Sequence, residues 1–204
     1  MMPLDPPAPT TGADRLFFAV LPDDYASSQA DRFRQRFCQQ QGVAGTPVRP
    51  EHLHVTLCPL GPQADVSAAT LAMAAQVAAA LRMPPFEVEF DAVTCLRRTP
   101  PGGVALASVG ESGLRPLLAF QQTLAAAMAR GGLGESAEQI APLHMTLVQE
   151  PTFVEQQFIR PIAWTVRELV LIHSAVGQMR PVTLGRWPLY GAVRAPALEP
   201  EGMS

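Results

Sequence analysis

Cysteine is scarce in this 204-residue chain: Cys38, Cys58 and Cys95 are the whole set, with no CxxC pair and no metal-like spacing. An odd, scattered set argues against a disulfide framework and fits free thiols in a reducing cytoplasm. A basic excess is also missing, since the net charge is −3. Proteins that grip long nucleic-acid duplexes carry a basic balance. No long-duplex binding is therefore expected, and any nucleic acid is met locally, at an end or a single nucleotide. No run approaches the ~20 apolar residues of a membrane span. The opening MMPLDPPAPTTGAD has no basic segment, and Leu16–Leu21 is too short for a signal core with a cleavage site. A cytoplasmic protein without a membrane partner is expected. What is present is globular: 48% hydrophobic against 16% charged residues, enough for one substantial core or two small lobes sharing one.

Residues 1–13 and 192–204 read as flexible tails around a single domain, 14–191. Within it, Arg15–Leu21 is a buried strand candidate. Pro22 opens a helix with Asp23 and Asp24 in its first turn, running to about Gln41. Leu53–Leu57 is a strand, and Ala64–Leu81, rich in alanine, is a helix. Phe86–Leu96 alternates as a strand, with Phe86, Val88 and Phe90 on one face and Glu87, Glu89 and Asp91 on the other. A Thr99–Gly103 turn leads into Val104–Val109. Leu114–Arg130 is a helix stopped by two glycines. Leu143–Val148, Trp164–His173 and Pro181–Leu189 are further strands. Strands and helices mix, with hairpins among the strands, which predicts an α+β fold with antiparallel sheet.

Two segments match: Leu53-His54-Val55-Thr56-Leu57 and Leu143-His144-Met145-Thr146-Leu147, 90 residues apart. With 4 His and 12 Thr, chance gives about 0.2 His-x-Thr tripeptides, and about 0.003 with Leu on both sides; two occur. On a strand, His and Thr of each motif point one way and the flanking apolar residues the other, into the core. Each motif then presents an imidazole beside a hydroxyl. If a pseudo-two-fold axis relates the halves, the two pairs face each other across one groove.

Two imidazoles suit phosphodiester cleavage. One takes a proton from the attacking oxygen and the other gives one to the leaving oxygen, which an unperturbed pKa of ~6.5 permits near neutrality. The Thr56 and Thr146 hydroxyls can donate to the non-bridging phosphate oxygens. A lone strand histidine is more often structural, and the duplication turns that balance towards function. Two histidines without a companion carboxylate on their strands are poor ligands for a closed zinc site, so no metal or other cofactor is expected.

Paired motifs of this kind in a chain of this length resemble the 2H phosphoesterase superfamily, and more narrowly the bacterial RNA 2′,3′-cyclic phosphodiesterases, also called 2′-5′ RNA ligases. The resemblance runs from about Arg15 to Leu189 and rests on RLFFAVLPDD, VRPEHLHVTLCPLG, APLHMTLVQ and ELVLIHSAVGQMRPVTLGRWPL. It implies a bilobal, pseudo-two-fold fold of two antiparallel-sheet-plus-helix halves around a central groove. It implies hydrolysis of a terminal 2′,3′-cyclic phosphate to a 2′-phosphomonoester, with His54 and His144 as the acid/base pair and Thr56 and Thr146 holding phosphate. In the family the first-motif histidine is usually the acid and the second the base. The implied partners are RNA ends or small cyclic nucleotides, met by a monomer. A 2′-5′ ligase, another cyclic-phosphate phosphodiesterase and a non-catalytic RNA-end binding module are the competing readings.

The chain departs from the family's pattern in places. Gln149 stands where a basic residue often follows the second motif, and an amide can still donate to phosphate. Pro181 stands where a tyrosine often precedes the final Trp. CLRRTPPGGVALAS has no aromatic residue to stack on a base, although Arg97 and Arg98 could raise the potential near a phosphate. Their default reading is a solvated loop. His52 reads as a polar strand-entry residue and His173 as a strand-end residue. Cys58 could share the catalytic face by alternation but reads as structural. Trp164 and Trp187 read as core anchors, and Met73, Met83 and Met128 as helix packing.

Overall fold

The computed structural model describes residues 15–60, 67–96, 103–107, 112–133, 142–149, 154–174 and 181–190. Strands are β1 (Arg15–Val20), β2 (Thr46–Pro47), β3 (Val55–Pro59), β4 (Phe86–Leu96), β5 (Gly103–Ala107), β6 (Met145–Gln149), β7 (Gln157–Val166), β8 (Glu168–Ser174) and β9 (Val182–Pro188). Helices are α1 (Asp24–Gln41), α2 (Ala68–Ala80) and α3 (Arg115–Arg130), with a 3-10 turn at Pro50–His52. The expected tails at 1–13 and 192–204, and Arg97 and Arg98, lie outside the described residues.

Every strand pairing is antiparallel, so the expected α+β class is present. The order is β7-β4-β5-β6-β3-β1-β8-β9, with β2 beside β6. It reads alike from the middle outwards. Each motif strand, β3 or β6, has one inner neighbour, β1 or β5, and two further strands beyond. The halves meet at one residue pair, Val55 opposite Met145. The match extends to the register: Ala19 lies opposite Thr56, and Ala105 opposite Thr146.

Side chains of β1 alternate in the manner of a strand with two covered faces. Leu16, Phe18 and Val20 join the main core, with Val55, Leu57, Met145, Leu147 and the helix residues Leu117, Phe120 and Leu124. Phe17 and Ala19 face the other way, with Val170 and Ile172. That second side, where His54 stacks on Phe17, is the candidate site face. Helix α3 contributes residues at i, i+3 and i+7, one stripe of a 3.6-residue helix, and packs against β3 and β4, while α1 packs against β6 and β7. Phe90 and Trp164 stack in the core at 5.6 Å between ring centroids, and Trp187 packs at its edge. Met128 is buried, but Met73 is exposed.

Three expectations need correction. Trp164–His173 is not one strand: β7 ends at Val166 and β8 begins at Glu168. The charged pair Arg167-Glu168 marks a change of partner, from β4 to β1. One residue, Arg167, thus links strands near opposite ends of the order, so the sheet curves enough to bring them together. Asp23 is not in the first turn of α1 but is its N-cap, accepting from the Ala26 N–H at 2.8 Å. His52 does not enter the strand but closes the 3-10 turn, because Pro50 supplies the fixed φ that opens a helical turn.

Candidate functional site

His54 and His144 immediately precede β3 and β6, and Thr56 and Thr146 lie one residue inside. The motifs therefore sit side by side on neighbouring strands. Continuing the Val55–Met145 register by one residue each way sets His54 opposite Thr146 and Thr56 opposite His144. Each imidazole then has the other motif's hydroxyl across from it. Val55 and Met145 themselves are 0% exposed, which leaves the polar residues on the site face.

Both imidazoles are held alike. Nδ1–H of His54 donates to the His52 carbonyl at 2.8 Å, and Nδ1–H of His144 donates to the Pro142 carbonyl at 2.7 Å. A carbonyl only accepts, so the bond places the proton on Nδ1, and in the neutral ring Nε2 is then the nitrogen able to accept one. The environments differ. His54 stacks on Phe17 with ring centroids 5.3 Å apart. The register partners that put Phe17 opposite Pro59 put Gly103 opposite Gln149, so the second half offers no ring at the matching place. Burial pushes the His54 pKa below the ordinary imidazole value; the backbone bond opposes this, and the His144 and His52 charges add to it.

A β-bulge follows each threonine. Phe18 pairs with Cys58 and Ala19 with Thr56, leaving Leu57 extra; Val104 pairs with Val148 and Ala105 with Thr146, leaving Leu147 extra. The bulge breaks the alternation, so Leu57 and Cys58 are both buried, as are Leu147 and Val148. Cys58 thus does not share the site face. Its Sγ contacts the Gln121 carbonyl at 3.8 Å, and burial pushes its thiol up to about 12. The same shift by one returns Gln149 to the side of Thr146, exposed and opposite a glycine.

Each bulged residue needs a partner for its carbonyl, because a buried unpaired carbonyl is costly. Leu147 receives the backbone N–H of Val48 at 2.9 Å. Leu57 receives the side-chain amide of Gln121 from α3 at 2.8 Å. Gln121 is 1% exposed and had no signal in the sequence beyond one polar residue on the apolar stripe of α3.

Of the other predicted residues, His52 lines a small pocket beside His54. His173 is half-buried near the end of β8. Among the described residues, no group of three His, Cys, Asp or Glu side chains is placed to hold a metal ion, and no helix is long and apolar enough to cross a membrane.

Comparison with known proteins identifies the family and the fold. Residues 22–178 match the model of the 2′-5′ RNA ligase superfamily. A structure of E. coli LigT complexed with 3′-AMP is 28% identical, with a TM-score of 0.67 over 87% of this chain and 99% of that one. E. coli LigT complexed with NADP+ is 27% identical, with a TM-score of 0.66 over 88% and 99%. The Thermus thermophilus protein TT0787, at 21% identity and a TM-score of 0.66 over 87% and 99%, shares the fold. No curated protein sequence matches. The family model spans well over half of the chain, which belongs to the 2′-5′ RNA ligase superfamily of 2H phosphoesterases.

Proposed function

We propose that the protein hydrolyses 2′,3′-cyclic phosphates, on RNA ends or small nucleotides, to 2′-phosphomonoesters without a metal ion. The superfamily joins phosphoesterase and ligase chemistry, and the E. coli relative is described with nucleotides bound. The observation that carries the reading is the Val55–Met145 register, which brings two complete His-x-Thr motifs to adjacent strands with both Nδ1 positions already bonded.

In this reading one Nε2 accepts a proton from water as its oxygen attacks phosphorus. The P–O3′ bond breaks, and the other imidazole gives its proton to O3′. The product keeps the phosphate on O2′. Thr56 and Thr146 donate to the non-bridging oxygens, where negative charge gathers in the transition state. Gln149, returned to the site face by the bulge, adds a neutral donor. The reaction needs one imidazole charged and one neutral. Repulsion between the two histidines opposes double protonation. A cytoplasmic setting suits such a substrate. Ligation to a 2′-5′ bond is the same displacement with an RNA 5′-hydroxyl attacking in place of water, and it uses the same groups.

The test is incubation with 2′,3′-cyclic nucleotides and a short cyclic-phosphate-ended RNA, with and without EDTA. Hydrolysis that EDTA does not change, lost in His54→Ala and in His144→Ala, is the expected result. Binding without turnover would replace the enzyme by an RNA-end binding module.

A further inference from the structure

The site face continues past His54. A pocket of about 60 Å³ opens on its ring, lined by His54 itself with Glu51, His52, Ile172, Thr183 and Arg186 among others. Its far wall belongs to β9. Thr183 lies opposite Ile172 and Arg186 opposite Val170, and directly opposed residues of an antiparallel pair share a face. Arg186 and Thr183 are three apart, and strict alternation would separate them. The bulge between their pairing positions, which leaves Leu184 extra, puts both on the site face with Phe17, Val170 and Ile172.

The pocket's chemistry is that of an oxyanion receptor. Arg186 offers a planar fork, Thr183 a hydroxyl and His52 an imidazole. Arg186 is ion-paired with Glu168, but its side chain is 53% exposed. Exposed pairs hold weakly, whereas a guanidinium–phosphate contact is charge-assisted and bidentate. A phosphate can therefore take Arg186 from Glu168. The Glu51 carboxylate on the near wall opposes an anion, and Arg49 lies 3.9 Å from it and offsets that charge.

We propose that this pocket receives the 5′-phosphate of the nucleoside whose cyclic phosphate reacts beside His54. The inference rests on the proposed hydrolysis and narrows its substrate class. A nucleoside with its 2′ and 3′ oxygens tied in the cyclic phosphate has its 5′ oxygen left for a second phosphate. An RNA end carries that phosphodiester, and a cyclic mononucleotide lacks it. The pocket then favours a nucleoside 2′,3′-cyclic phosphate that bears a 5′-phosphate over one that lacks it.

The experiment compares kcat/KM of the full chain for 2′,3′-cyclic AMP and for the same nucleotide bearing a 5′-phosphate. The 5′-phosphate is expected to raise kcat/KM about tenfold, mainly through KM. In Arg186→Gln the ratio between the two substrates falls to about one, and in Glu168→Gln, which frees the guanidinium, it rises. A wild-type ratio near one, or a ratio that survives Arg186→Gln, overturns the subsite while leaving hydrolysis intact. Absence of turnover on both substrates removes the hydrolysis reading itself, and the subsite with it. If Arg186→Gln does not fold, the Glu168→Gln ratio decides.

Discussion

Val55 and Met145, the middle residues of the two His-x-Thr motifs, lie directly opposite one another where the halves of the sheet meet. The two histidines therefore act, in the proposed mechanism, as one unit. Removing either should cost about as much as removing both. We expect His54→Ala and His144→Ala each to lower kcat about 10²- to 10⁴-fold. The double variant should fall little further. Single-turnover rates on 2′,3′-cyclic AMP measure this, and independent, multiplying losses would show that the groups do not share a step.

Gln121 ties α3 to the first motif by donating to the Leu57 carbonyl. Gln121→Met keeps much of the shape and removes the donor, leaving that carbonyl buried and unpaired. A loss of about 1–3 kcal/mol in urea unfolding is expected. Because Leu57 follows Thr56, kcat should drop with KM nearly unchanged, well below the midpoint temperature. A stability loss with an unaltered kcat would mean that the bond supports the core alone.

Cys58 is two residues from Thr56, yet the bulge turns it into the core. With its thiol pushed up to about 12, only about one molecule in ten thousand carries the thiolate near pH 8. N-ethylmaleimide should label Cys58 slowly, and Cys58→Ala should keep kcat within about twofold. Rapid labelling with loss of activity would place the thiol on the site face after all.

These cases mark what the sequence disclosed. The duplicated motif, the strand Phe86–Leu96 and the helix before Gly42 follow from local pattern and chemistry, and each is present. The bulges were not legible, because Leu57 and Leu147 suit a regular strand as well as a bulged one. Alternation counted through them misplaces whatever comes next, as with Cys58. Gln121 and Phe17 are related to the site only by tertiary packing, across 64 residues in one case. The division falls at the charged pair Arg167-Glu168, which a strand with one solvated face tolerates as readily as a break.

The depressed pKa of His54 gives a pH dependence of fixed sign. In the unfolded chain the imidazole titrates near ~6.5, and in the fold burial lowers it. Between those values the unfolded state binds more protons. Stability is complete above the unfolded value and is lost as pH falls through it towards the folded one. Urea unfolding at roughly pH 7.5 and 5.5 should show this loss, and His54→Gln should reduce it. The stack on Phe17 is part of the burial, so Phe17→Ala should move the His54 pKa back towards the ordinary value in an imidazole NMR titration. Adding inorganic phosphate to the wild type should raise it as well, because an anion beside the ring favours the imidazolium. That rise would restore to His54 the proton it needs if it serves as the general acid. A His54 pKa that ignores both Phe17 and phosphate would detach the residue from the anion it is proposed to cleave.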